Sequence, residues 1–217
     1  PDKVKKIIVF AHGQEYLATK KTNLIKKSLY RANHIISSSN YTLDLINNMN
    51  ITEIKKSVIP PTYSLKATDE NNIFKQPTKK VSILSITRLE ERKGIIPVLK
   101  SLGYLHKEKL IKPFIWKICG EGNQETEIKN YIDNLGLSKH VRLLGRVSNE
   151  IKNQLLKKAD LFVMPSYKVR NSIEGFGISY IEAASYGVPS IAGVEGGIRD
   201  AVFDMKTGWC VDPLNSS

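Results

Sequence analysis

Pro165-Ser166 and, eight residues further on, Glu174-Gly175-Phe176-Gly177-Ile178-Ser179-Tyr180-Ile181-Glu182-Ala183-Ala184 form the stretch whose reading decides the fold. An apolar run at 161–165 puts the end of a strand near Met164, and helical spacing begins near Ile178. Gly175 and Gly177 therefore belong to a strand-to-helix loop at the carboxyl edge of a sheet, where open α/β sheets bind their ligands. Glycine lets a backbone approach a ligand closely, and the free N–H groups of a first helical turn suit a phosphate. Glu174 falls in the loop and Glu182 about one turn into the helix, so two carboxylates are expected to bracket one pocket mouth. Carboxylates repel a diphosphate; they serve better as acceptors from sugar hydroxyls, where a charged partner is worth about 1.5–3 kcal/mol. Taken singly, each also reads as an ordinary loop or helix charge.

Outward from this loop the chain keeps one rhythm. Short apolar runs at 6–10, 34–37, 81–86, 114–119, 141–144, 161–165, 188–192 and 209–211 alternate with segments of helical period. Ile128, Tyr131, Ile132 and Leu135 form one amphipathic face, and Ile151, Leu155, Leu156 and Ala159 another. Continuous apolar runs suit strands buried on both faces, which predicts a Rossmann-like parallel sheet with helices on both sides. The pattern lapses from Val58-Ile59-Pro60-Pro61-Thr62 to Pro77, which reads as a linker. The division expected is 1–60, the end of a first Rossmann-like domain whose start lies outside this sequence; 61–79, the linker; and 80–217, a second such domain. The first part is read as two strands and two helices, too few to close a core.

Composition bounds the rest. The chain has 217 residues, 41% of them hydrophobic and 25% charged, with a formal charge of +12, which excludes collagen-like and wholly disordered chains. Cys119 and Cys210 lie among apolar residues without a partner at metal-ligand spacing, so both read as reduced core thiols. No run approaches the roughly 18–20 apolar residues of a membrane span, and no signal peptide opens the chain; a cytoplasmic protein is expected.

A second constellation follows the run 81–86: Thr87-Arg88-Leu89-Glu90-Glu91-Arg92-Lys93-Gly94, then a helix with Pro97 in its first turn. Arg88 and Lys93 suit the grip on a diphosphate leaving group, one as a bidentate fork and one as a mobile point charge. The alternative is that Arg92 and Lys93 pair on the surface with Glu90 and Glu91. Gly120-Glu121-Gly122, Gly145-Arg146-Val147 and Gly193-Val194-Glu195-Gly196-Gly197 put further close-approach backbone on the same edge.

The order Arg88…Lys93-Gly94, Gly120-Glu121-Gly122, Gly145-Arg146-Val147, Pro165-Ser166, Glu174-Gly175-Phe176-Gly177 with Glu182-Ala183, Gly187-Val188-Pro189, Gly196-Gly197 and Thr207-Gly208 resembles retaining glycosyltransferases of the family 4 type over essentially the whole chain. The resemblance implies the GT-B fold, two Rossmann-like domains facing across a cleft, and transfer of a sugar from a UDP- or GDP-sugar to an acceptor hydroxyl with retention. By the same resemblance Arg88 and Lys93 would hold the diphosphate, Glu182 the ribose hydroxyls and Glu174 the transferred sugar. Backbone N–H groups of Phe176, Gly177 and Ile178 would lie near that sugar, the backbone of Arg146 and Val147 would meet the base, and Gly120 would floor the nucleotide pocket. His12-Gly13-Gln14-Glu15 resembles the family's turn facing the cleft, which would bring His12 near the acceptor or the sugar. With no Asp-x-Asp and no metal-ligand cluster in the sequence, no metal and no cofactor are expected beyond the donor substrate. The chain departs from the family pattern at Thr87, where a glycine is usual, and at Arg199-Asp200, where Pro-Glu is common.

Lys20, Lys21, Lys26, Lys27 and Arg31 gather before and along one helix. They read as a solvated face or as a patch for an anionic membrane surface, where lipid-linked acceptors of polysaccharide or glycolipid assembly reside. Nucleic acid is not an expected partner, since aromatics do not interleave with the basic residues. The other reading kept open is a nucleotide-sugar-binding protein of the same fold with phosphorolytic, epimerase or no catalytic activity.

Overall fold

A computed structural model describes residues 6–17, 22–63 and 79–215. Two parallel sheets carry the structure. The first has order β1-β2-β3, from β1 (Ile8–Ala11), β2 (His34–Ser37) and β3 (Lys55–Val58), with α1 (Thr22–Leu29) and α2 (Asn40–Asn47) between them. Leu29, Ile35, Ile46 and Ile51 fill the layer beneath it, and Ser39 caps α2 by accepting from the Thr42 N–H at 3.1 Å.

The second sheet holds β4 (Val81–Ile86), β5 (Phe114–Cys119), β6 (Val141–Leu143), β7 (Leu161–Met164), β8 (Ser190–Ala192) and β9 (Gly208–Cys210), ordered β6-β5-β4-β7-β8-β9. Its helices are α3 (Ile95–Lys107), α4 (Glu125–Asn134), α5 (Asn149–Lys158), α6 (Ile178–Ser185) and the short α7 (Ile198–Ala201). This is the Rossmann strand order, and the direction of winding reverses between the neighbours β4 and β7. The continuous apolar runs are explained by two cores, one on each face: Ile95, Leu99, Trp116 and Ile128 on the side of α3 and α4, and Leu156, Phe162, Tyr180 and Ile198 on the other. Trp116 is wholly buried, and its indole N–H donates to Ser85 Oγ at 2.9 Å. Ser85 in turn donates to the Val163 carbonyl, so the polar atoms at the sheet's centre are satisfied across three strands.

The sequence reading differs from this structure at identifiable places. The sequence reading placed no strand at 55–58, so the first unit has three strands among the described residues rather than two. Lys55-Lys56-Ser57-Val58 has no apolar run; backbone pairing with β2 and a 2.8 Å contact between His34 Nε2 and Ser57 Oγ define it instead. The first strand begins at Ile8 rather than at residue 6, and its Ile8 and Phe10 are exposed. Strand β8 starts two residues after 188 because Pro189 has no N–H to give the ladder; its carbonyl accepts from Phe162. Of the apolar face expected on α5, Ile151 is exposed because that first turn follows the edge strand β6, while Leu156 and Ala159 are buried. Trp209, likewise on an edge strand, is 45% exposed. Residues 64–78 of the expected linker, and Lys20 and Lys21 of the basic group, lie outside the described residues. Lys26 and Lys27 lie on α1, and Arg31 is exposed just after it. Cys119 is buried and Cys210 half-buried, both as free thiols, and burial pushes Cys119 up to about 11.

Candidate active site

The reversal between β4 and β7 opens the sheet at its carboxyl edge, and the two connections that leave there build the site. After β4 the chain runs through Thr87, Arg88 and Leu89 into a 3-10 turn, Glu91–Lys93, closed by Gly94. This stretch is zipped to the loop after β5: Thr87 N–H donates to the Cys119 carbonyl and Leu89 N–H to the Glu121 carbonyl, both at 2.9 Å. The approach is so close that a Cβ on Gly120 would stand 1.7 Å from the Thr87 carbonyl oxygen. Gly120 is thus required by backbone packing, with its own N–H donating to the Gly145 carbonyl at 2.7 Å.

After β7 the loop crosses back over that turn. Tyr167 N–H donates to the Arg92 carbonyl at 2.9 Å, and Val169 and Ser172 bridge to form a tight bend before Glu174. The first unit seals the other side. Gln14 Nε2 donates to the Ile173 carbonyl at 2.8 Å, and a Cβ on Gly175 would sit 1.9 Å from the His12 carbonyl oxygen. Further along the same cleft, Asp200 accepts from the Asn40 N–H at 2.6 Å and from its amide at 2.9 Å. His12-Gly13-Gln14-Glu15 therefore faces Glu174-Gly175-Phe176-Gly177 across a cavity of about 490 Å³, which Arg88, Lys93 and Glu174 also line.

Glu174 is fixed through both backbone and side chain. Its carbonyl accepts from Gly197 N–H at 2.9 Å, and its Oε2 takes both Lys93 Nζ and, at 3.0 Å, Arg92 Nη1. Arg92 is 4% exposed and Lys93 7%. Burial pushes the Glu174 carboxyl up, but Lys93 and Arg92 outweigh it and hold the group below the usual carboxylate range. Burial pulls Lys93 below the usual lysine range; Glu174 partly restores it, and Arg92 lowers it further.

The expected residues fall into three groups. Glu174, Lys93, Arg88, His12, Phe176, Gly177 and Ile178 all line the one cavity. Arg88, however, is not buried with Lys93: its side chain is 66% exposed and pairs with Glu90 at 2.7 Å. Glu182 does not share the mouth with Glu174. It lies one turn further along α6, about 5.4 Å along the axis, and its carboxylate pairs with Lys152 of α5 at 2.6 Å. Gly120, Arg146 and Val147 stand apart from the cavity lining, Arg146 exposed and Val147 half-buried against the core.

The sequence reading missed Arg92. It was weighed only as a surface partner of the nearby glutamates, whereas the 3-10 turn tucks it under the 165–177 loop between Glu174 and Glu90, whose Oε2 lies 3.3 Å from its Nε. Nor does Lys93 pair with Glu91. Four consecutive charges before a glycine, Glu90-Glu91-Arg92-Lys93-Gly94, give no sign of which turns inward. Lys152 was also missed, since it belongs to a helix face that reads as solvated.

Two parallel α/β units closing on a cation-lined cleft at the switch point define the architecture of GT-B glycosyltransferases. The chain belongs to the family of glycosyl transferases group 1, which residues 67–217 match. Over 139 residues it is 30% identical to the putative colanic acid biosynthesis glycosyltransferase WcaL of Escherichia coli (strain K12), covering 63% of this chain and 34% of that protein. It is 32% identical over 133 residues to the GDP-mannose-dependent alpha-(1-6)-phosphatidylinositol monomannoside mannosyltransferase of Mycolicibacterium smegmatis, covering 60% and 34%. The chain thus spans about a third of the length of these curated relatives. In fold it is similar to the crystal structure of Anabaena Alr3699/HepE in complex with UDP and glucose, with a TM-score of 0.76 and 18% identity over 97% of this chain and 59% of that one.

Proposed function

We propose that the protein is a retaining glycosyltransferase of the family 4 type that moves a sugar from a nucleotide diphosphate sugar to an acceptor hydroxyl in polysaccharide or glycolipid assembly. In this reading residues 1–60 are the acceptor-side domain, 61–79 the linker and 80–217 the nucleotide-sugar domain. The observation that carries it is the inward-facing cluster of Lys93, Arg92 and Glu174 at the switch point, on a chain of this family.

The chemistry needs charge that strengthens as the reaction proceeds. The bond from the anomeric carbon to the diphosphate breaks, the bond to the acceptor oxygen forms, and the acceptor hydroxyl's proton passes to the departing diphosphate, which gains negative charge as its bond to carbon breaks. Lys93 can leave Glu174 for that charge, Arg88 can swing from its exposed pair with Glu90, and the N–H groups of the first turn of α6 add the dipole's positive end. Glu174 accepts from a hydroxyl of the sugar, and His12 stands across the cavity. Glu182, released by Lys152, takes the ribose hydroxyls, and the backbone at Arg146 and Val147 meets the base. The donor base is uracil or guanine, in line with a relative named as GDP-mannose-dependent and a similar fold solved with UDP. Among the described residues no helix is long and apolar enough to cross a membrane. Lys26, Lys27 and Arg31 are the residues for contact with an anionic surface at the cytoplasmic face.

The test is a thermal-shift panel of nucleoside diphosphates and nucleotide sugars on the full-length protein, since a ligand that binds only the folded state raises its apparent stability, by about 2.7 kcal/mol at a hundredfold excess over Kd. The expected result is a shift with one base, lost in Lys93→Met and weakened in Glu182→Ala. A folded protein that responds to none of them overturns the reading.

A further inference from the structure

We propose that Arg92 is a positioning residue for the transfer, holding the Glu174 carboxylate in place while Lys93 turns from Glu174 to the leaving diphosphate. The inference rests on the glycosyltransferase reading and deepens it.

A guanidinium that is 4% exposed needs compensating charge, because a buried unpaired cation is among the costliest groups a fold can carry. Arg92 finds it on two sides, with Nη1 3.0 Å from Glu174 Oε2 and Nε 3.3 Å from Glu90 Oε2. The turn that carries it is pinned as well, by Tyr167 N–H on the Arg92 carbonyl and by Lys93 N–H on the Glu90 carbonyl, each at 2.9 Å. Arg92 is therefore a planar guanidinium hydrogen-bonded to Glu174 through Nη1, with Glu90 beside its Nε as a counter-charge and not a hydrogen-bond partner, whereas Lys93 is a point charge on a flexible stem.

Both cations converge on one oxygen of Glu174, and among the described residues neither ion pair uses Oε1. A single carboxylate needs only one of them for neutrality. With Arg88, three cations pair with the two carboxylates Glu90 and Glu174, while Glu15, the other carboxylate lining the cavity, accepts from the His12 N–H. When the diphosphate draws Lys93 away, Glu174 would be left buried without a counter-charge unless a second cation stays. Arg92 stays with Glu174, because its backbone is pinned by Tyr167 and its buried guanidinium keeps the negative charge of Glu90 beside it. Glu174 then remains ionised, with Oε1 presented to the sugar. The groups that face Glu174 in this exchange are Lys93 and Arg92 from the turn after β4, Arg88 beyond them, Tyr180 from α6, and His12 and Glu15 from the first unit.

The experiment compares the full-length wild type with Arg92→Met and Arg92→Lys, using the nucleotide sugar that the thermal-shift panel selects. Arg92→Met is expected to lower kcat by about 10- to 100-fold, the scale of a misplaced catalytic group, with donor KM changing less than about threefold. The acid limb of its kcat profile should move up by about one pH unit, as expected for a buried carboxylate that has lost its remaining cation. Arg92→Lys should return that limb towards the wild type. Where Arg92→Met does not fold, Arg92→Lys and Glu90→Gln, which frees the far end of the guanidinium, replace it. An intermediate shift of the acid limb in either supports the proposal. An unmoved acid limb in every folded variant overturns it, whatever the loss of stability, because a purely structural arginine would not move that limb. Wild-type protein that neither binds nor turns over any nucleotide sugar overturns the functional reading itself, and this inference with it.

Discussion

Glu174 and Glu182 are eight residues apart, both beside the same strand-to-helix junction, and in the sequence they read alike. In the structure Glu174 lies in the cleft between the two units with two buried cations on one oxygen, while Glu182 lies on the seam of α5 and α6 with a single lysine at 2.6 Å. Their backbones differ too: Gly197 and the His12-to-Gln14 turn fix the loop of Glu174 from outside, whereas Glu182 has only its own helix. The comparison teaches that a carboxylate's task here is set by which elements fold over it. The doubly paired group is held at the cleft between the two units, and the singly paired one on the seam between two helices.

The strongest way to break this contrast is to remove each carboxylate in turn. Glu174→Ala leaves Lys93 and Arg92 buried without it, and breaking such a pair costs about 3–5 kcal/mol of stability. Glu182→Ala strands a single lysine that is itself less buried than Lys93 or Arg92, and should cost about 1–2 kcal/mol. Denaturant titration of the two variants checks the order; equal losses would show that the clusters do not differ.

A tight junction makes the second test. Gly175→Ala drives a Cβ to within 1.9 Å of the His12 carbonyl oxygen, so the two units must part at the cleft. Displacement of about 1 Å at reacting groups can cost about a hundredfold in rate. Steady-state kinetics should show that loss with the fold retained by circular dichroism.

Acid titration tests the pairing of Glu174. Glu174 is held below its usual value of 4.5 when folded, so its stabilisation is complete above that pH and is lost as pH falls towards the folded value. Thermal midpoints of the wild type should therefore drop below about pH 4.5, and Glu174→Gln should flatten that limb. The smallest effect is expected from Asp200→Ala, which removes two exposed hydrogen bonds from Asn40 across the cleft. It should cost about 1 kcal/mol or less, seen as a small shift in the denaturation midpoint.

Much of this was legible before any coordinates. Strands 34–37, 81–86 and 114–119 fall where the apolar runs placed them, and the junction from Met164 to Ile178 has the predicted ends. Parallel strands buried on both faces write themselves as continuous apolar runs, and glycines mark the places where two backbones touch. Strand β3 was not legible, because its polar residues are held by pairing with β2 rather than by burial. Arg92 and Lys152 were not legible either, since a charged side chain in a sequence carries no sign of which way it turns.

The sequence by itself determined the parallel α/β architecture and the glycine-marked loop between Met164 and Ile178, because hydrophobic period and glycine placement are local properties of the chain. Only the tertiary structure decided which charges meet. Glu174 is paired with residues about eighty positions away and Glu182 with one thirty positions away. Such partners are chosen by strand order and by the closing of one unit on the other.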